Sequence, residues 1–179
     1  GEKKKDPSTT NNTGSKTIKN YLAGALKPVG KALYVWGGGW NDSTRKGLSP
    51  TMTQWYNKWT SNPSGYDYNN YRNLSTTNRA KGFDCSGFVS WVINNCGNGW
   101  NVGRCTADEL RSHCSQVSPS EAKPGDLIFF QGTYDTPGAS HVGIYVGNNM
   151  MIHCGKPVQY TSIASAYWQE HFMAFGRLH

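Results

Sequence analysis

No stretch of the 179 residues comes near the roughly 20 consecutive apolar residues that a membrane-spanning helix needs. The N-terminal segment GEKKKDPSTTNNTGSK lacks the apolar core of a signal peptide. No transmembrane segment is therefore expected. Acidic residues are scarce, 11 against 18 Lys and Arg, which leaves a net charge of +7. The basic residues are dispersed apart from Lys3, Lys4 and Lys5, so the excess favours a polyanionic neighbour without selecting one. Zinc-finger spacing, an RNA-binding sheet signature and a basic helical stripe are missing, and no nucleic-acid partner is expected. Internal repeats are missing too, and at this length one compact domain is the default.

What is present begins with a polar leader. Residues 1–14 carry no aliphatic side chain and read as a disordered arm or the end of a linker, with the domain expected over 15–179. Ile18, Tyr21, Leu22, Ala25 and Leu26 recur at helical spacing behind Ser15 as a cap, and Pro28 should end that helix. In ALYVWGGGWND the glycines exclude a helix interior and imply a tight turn or a close backbone approach. From about 41 to 80 an irregular stretch rich in Asn, Ser, Thr and Gly holds Trp55, Tyr56, Trp59, Tyr66, Tyr68 and Tyr71. These aromatics either pack the insertion onto the domain or form a rim on which a ligand stacks.

The segment KGFDCSGFVSWVINNCGNG sets Cys85, Phe88, Val89, Val92, Ile93 and Cys96 on one helical face, with Asp84 as N-cap and Gly97 just beyond the end. In TADELRSH, Thr106 and Glu109 have the spacing of a capping box. The C-terminal third changes period: GDLIFFQG, HVGIYVG, MMIHCG and FMAFGRL are short apolar or alternating runs between Gly, Asn and Pro, the pattern of an antiparallel sheet. Helices followed by strands imply an α+β domain.

Five cysteines is an odd number, so one thiol at least stands outside any pairing. Cys85 reads two ways, as a buried helix residue or as a nucleophile favoured by the unpaired N–H groups and positive dipole of a helix start. A nucleophile needs a base, and His141 and His153 are the histidines expected in the sheet. If Gly147, Asn148 and Asn149 form the hairpin loop, Gly143 pairs with His153, and His141 and His153 project from one face as diagonal neighbours. A two-residue loop would put them on opposite faces. One imidazole would then take the thiol proton while the other orients it. Cys154, next to His153 on its strand, is expected to point into the core as a buried thiol. Cys96, Cys105 and Cys114 are left without a chemical role.

YVWGG (Tyr34 to Gly38), FDCSGFV (Phe83 to Val89), PGDLIFF (Pro124 to Phe130), HVGIYVGN (His141 to Asn148) and MIHCG (Met151 to Gly155) occur in the order found in the NlpC/p-sixty family of cell-wall cysteine peptidases. The chain resembles that family from about Ser15 to Leu178. The resemblance implies a papain-like fold in which the nucleophile at a helix N-terminus faces histidines on an antiparallel sheet. It assigns Cys85 as nucleophile, His141 as general base and acid, His153 as the polar third member and Tyr34 as a residue beside the nucleophile. It places Asp84, Ser86 and Trp36 at the substrate.

The implied activity is cleavage of a peptidoglycan stem peptide between D-isoglutamate and the following diamino acid, with no metal or cofactor. Anionic cell-wall polymers are further candidate partners, the implied location is extracellular or in the cell wall, and additional domains N-terminal to residue 1 are expected. An amidase or transacylase using the same residues, or an inactive wall-binding module, is the alternative. The 41–80 segment is longer than the corresponding link in the smallest family members, which puts the inherited specificity in doubt.

Overall fold

The computed structural model describes residues 22–39, 50–61, 81–96 and 100–179. The expected arm at 1–14, the start of the first helix, Gly97, and Tyr66, Tyr68 and Tyr71 lie outside the described residues. The end of the first helix is present as a helical stretch at 22–26, which yields to turns at Lys27 and Pro28. Among the described residues four α-helices are defined beyond it: α1 (Pro50–Ser61), α2 (Cys85–Cys96), α3 (Ala107–Ser112) and α4 (Ala166–His171). Six strands follow α3: β1 (Cys114–Val117), β2 (Leu127–Gln131), β3 (Ala139–Gly147), β4 (Met150–Cys154), β5 (Val158–Ser162) and β6 (Phe172–Leu178). They form one antiparallel sheet in the order β1-β6-β2-β3-β4-β5. No described helix is long and apolar enough to cross a membrane.

Alternation along the central strands divides two cores. Leu127, Phe129, Val142, Ile144, Ile152 and Cys154 face α2, whereas Ile128, Phe130, Met151 and Phe175 face the other side, where Trp168 and Phe172 cover them. Burial of such side chains contributes about 1.5–3 kcal/mol each.

The helix α2 is more deeply enclosed than its one-faced pattern suggests. Ser90 is 0% exposed and Trp91 1%, although neither belongs to the apolar face read from the sequence. The Cys105 N–H donates to Ser90 Oγ at 3.2 Å, and the Trp91 ring lies 5.6 Å from Phe83. Two covering layers thus turn an amphipathic helix into a central one. The 41–80 stretch, read as irregular, contains α1, which drives Met52 into the main core and carries Trp55, Tyr56 and Trp59. Its Trp55 ring lies under the ammonium groups of Lys58 and Lys81, at 5.2 and 4.5 Å.

The glycines of the YVWGG segment make a close approach. A Cβ on Gly38 would sit 2.6 Å from the Gly82 carbonyl, and one on Gly87 would collide with the Gly38 carbonyl. With no side chain on either, the loop lies directly against the first turn of α2, where Tyr34 bridges to Phe83.

The β3–β4 hairpin corrects the expected loop. Gly147 pairs with Met150, so the turn has two residues, Asn148 and Asn149, both left-handed at φ 54° and 57°. That turn alone would have turned the two imidazoles away from each other. The register shifts between Tyr145 and Gly147, however, leaving Val146 as an extra residue, and Tyr145 pairs with Met151 and Ile144 with Ile152. The bulge restores the register in which Gly143 stands opposite His153. A Cβ on Gly143 would lie 3.2 Å from the His153 Cβ.

Candidate active site

The first turn of α2 presents Cys85 for a local reason. Asp84 Oδ1 accepts the Gly87 N–H at 2.7 Å and the Ser86 hydroxyl at 3.2 Å, capping the helix as its sequence implied. The Cys85 N–H, as a first-turn amide, makes no intrahelical bond. Cys85 is 8% exposed, and its Sγ stands 4.0 Å from the Ser140 carbonyl, at the mouth of β3.

A cleft of about 440 Å³ opens there, lined by Cys85 on one side and His141 on the other. Tyr34, Trp36, Asp84 and Ser86 line it too, so all the residues singled out in the sequence except His153 border the same space. His153 stands behind His141, with its Nδ1 2.9 Å from His141 Nε2, and this leaves His141 Nδ1 as the nitrogen not engaged with His153.

The surroundings set the protonation states. Burial, and secondarily the Asp84 carboxylate, push the Cys85 thiol up to about 12, against the pull of the Val142 and Ser86 backbone and the Arg104 cation. Burial, and then the neighbouring His153, hold His141 well below its ordinary value, and burial brings His153 down to about 4. The resting site is therefore a neutral thiol beside neutral imidazoles.

Several contributors were not singled out from sequence. Arg104 donates from Nη2 to Asp84 Oδ1 at 2.7 Å and to the Gly38 carbonyl at 3.2 Å. From Nη1 it donates to Ser86 Oγ at 3.0 Å and to the Cys105 carbonyl. One guanidinium thus fastens the glycine loop, the start of α2 and its own loop. The available signal was charge isolation: Asp84 and Arg104 are the only charged residues between Lys81 and Asp108. Trp168, on α4, stacks on His141 at 5.2 Å and 29° and meets His153 edge-on at 5.3 Å, closing the far side of the imidazole pair. Tyr134, from the β2–β3 loop, packs edge-on against Trp36 at 5.0 Å and forms the outer wall of the cleft.

No disulfide joins the cysteines whose side chains are described. Cys85, Cys105, Cys114 and Cys154 are free thiols. Cys154, as expected, is turned into the core at 1% exposure, where its Sγ donates to the Phe83 carbonyl at 3.2 Å.

A helix-borne thiol at the margin of an antiparallel sheet, facing paired histidines across a cleft, is the papain-like α+β arrangement of NlpC-type domains. The NlpC/P60 family model matches residues 31–177, well over half of the chain, and the chain belongs to that family. Among curated relatives, the bifunctional muramidase/DL-endopeptidase CwlT of Bacillus subtilis is 42% identical over 103 residues, 57% of this chain and 30% of CwlT. The chain therefore spans less than a third of that relative. An NLP/P60 family protein from Staphylococcus aureus subsp. aureus Mu50 superposes with a TM-score of 0.61 at 27% identity, over 92% of this chain and 42% of that one. RipD of Mycobacterium tuberculosis, described as a non-catalytic NlpC/p60 domain protein adapted to peptidoglycan binding, shares the fold with a TM-score of 0.59 at 20% identity, over 92% of this chain and 99% of RipD.

Proposed function

We propose that this chain hydrolyses an amide bond in peptidoglycan stem peptides, between D-isoglutamate and the diamino acid that follows, by cysteine acyl transfer. The observation that carries the reading is the placement of Cys85 and His141 on one cleft with the His141–His153 hydrogen bond behind them. The choice of bond follows the name of CwlT, a DL-endopeptidase.

In this reading Cys85 Sγ attacks the scissile carbonyl as its proton passes to His141 Nδ1. The oxyanion gathers against the Cys85 N–H, with Tyr34 beside it. The imidazolium protonates the leaving amine, and the thioester remains on Cys85. Water then gives a proton to His141 and attacks the thioester, releasing the acid and the thiol. Among the described residues, Asp84 Oδ2 is the carboxylate oxygen left for a substrate amine, since Oδ1 already accepts from three donors. Trp36 and Tyr134 flank the peptide.

Action on this substrate places the protein at the cell wall, where the charge of +7 suits anionic wall polymers. Digestion of purified muropeptides with wild type and Cys85→Ala, read by product masses, tests the proposal. Cleavage between the second and third stem residues, lost in Cys85→Ala, is expected. Cleavage of another amide would make the chain an amidase or transacylase, and equal cleavage by Cys85→Ala would end the mechanism.

A further inference from the structure

On the side away from the thiol, the hydrogen bonds do not stop at His153. Its Nε2 lies 2.7 Å from Thr161 Oγ1, Thr161 Oγ1 lies 3.4 Å from Gln159 Oε1, and Gln159 Nε2 lies 3.0 Å from the Pro157 carbonyl. The sheet explains the alignment. His153 is paired with Gln159, and Thr161 stands one step along the same face of β5, opposite Met151. A Cβ at position 155 would come 2.8 Å from Gln159 Nε2, so Gly155 leaves the amide its place.

This chain has a direction. The Pro157 carbonyl can only accept, so the amide nitrogen of Gln159 faces it and Oε1 faces Thr161. Thr161 has one hydroxyl proton, spent on Oε1, and must therefore accept from His153 Nε2–H. A neutral imidazole carries one N–H, so His153 Nδ1 is bare and accepts from His141 Nε2–H. His141 Nδ1 then keeps its lone pair. The reverse chain would put a proton on His141 Nδ1 and leave the thiol facing a donor instead of a base. The burial that keeps both histidines neutral keeps this single-proton count in force.

We infer that Thr161 and Gln159 are positioning residues that fix the tautomers of His153 and His141, so that the nitrogen offered to Cys85 is unprotonated before substrate arrives. The inference rests on the reading of His141 as the base. The direction also needs no reversal during reaction: when His141 becomes imidazolium, Nε2 still donates to His153 Nδ1.

Two-bond proton–nitrogen spectra of the imidazole-labelled protein at neutral pH provide the test. Wild type should show His141 and His153 both protonated on Nε2. Thr161→Val, which removes the hydroxyl and keeps the shape, should give mixed tautomers and a kcat on muropeptides about tenfold lower at unchanged KM. Thr161→Ser should restore both. Gln159→Met frees the Thr161 proton to turn toward His153 and should shift its tautomer with Thr161 intact, a second route should Thr161→Val fold poorly. A wild-type His153 protonated on Nδ1, or unaltered tautomers in both variants, would overturn the inference. Alkylation of Cys85 by iodoacetamide, which should slow in Thr161→Val and Gln159→Met, involves no muropeptide. If wild type cleaves no muropeptide, the proposed substrate fails while the spectra and alkylation still decide the relay.

Discussion

The two walls of the cleft hold their reactive groups by opposite means. On the thiol wall, Asp84 and Arg104 form an ion pair whose side chains are 17% and 29% exposed, and the charge is tied down by hydrogen bonds to a helix start and a glycine loop. On the imidazole wall the partners are neutral, aligned by strand register and sealed by Trp168 and Phe130. Charge is thus kept beside the first turn of α2, where it fastens backbone. The imidazole pair is set among aromatic rings instead, and in such surroundings a hydrogen bond retains more of its strength. A fixed ion among the histidines would have shifted their protonation states, and in the proposed mechanism neutrality is what lets His141 serve as a base.

Breaking the register of the imidazole wall should have the largest effect. Deleting Met151 from β4 while the bulge on β3 stays pairs Ile144 with position 153 and turns that imidazole to the opposite face. Muropeptide cleavage should fall by about three orders of magnitude or more, a loss comparable to removing a triad member. Circular dichroism should still report the sheet, and retained cleavage would refute the dependence on register.

Breaking the thiol wall should cost less. Arg104→Met leaves Asp84 without its cation and removes one of the two donors to the Gly38 carbonyl, the Asp84 N–H remaining. For so partly exposed a pair we expect a loss of about 1–2 kcal/mol in chemical denaturation. Alkylation of Cys85 should also slow at neutral pH, because Arg104 pulls the thiol down and Asp84 pushes it up.

The smallest effect sharpens the contrast without breaking either wall. Burial favours neutral His141, so its protonation, and with it the acid loss of kcat/KM, belongs below the ordinary value of 6.5. Trp168→Ala admits water, raises that value toward 6.5 and should move the acid limb upward, with kcat down about tenfold and KM little changed. An acid limb that stays in place in the variant would show that Trp168 does not keep the pair dry.

Sequence legibility followed the range of the interactions. On the thiol wall the cap was readable because it is local, Asp84 acting on Gly87 and Thr106 and Glu109 closing their box within one turn, whereas Arg104, 20 residues from Asp84, was not. The pairing of His141 with His153 was also readable, although for a wrong reason. The turn is two residues and the bulge supplies the offset, and nothing in YVGNNM distinguishes a three-residue loop from a two-residue turn plus an extra Val146.

Strands β1 and β5 escaped because CSQV and VQYTS carry too few apolar residues to alternate visibly, as edge strands can. Thr161 and Gln159 escaped with β5. Trp168 sits on a six-residue helix whose only local mark is Ser165 as cap, and its contact with histidines 15 and 27 positions earlier is set by the sheet.

Arg104 carries one more consequence, for the end of the proposed reaction. Hydrolysis creates a carboxylate within the cleft that Arg104 lines. A guanidinium with its fork open would clasp that product in two parallel bonds and slow its departure. The four Nη hydrogens of Arg104 are already committed to Asp84, Gly38, Ser86 and Cys105. The cation can draw an anionic wall fragment inward over a distance but has no fork left to grip it, so turnover is spared product inhibition at that residue.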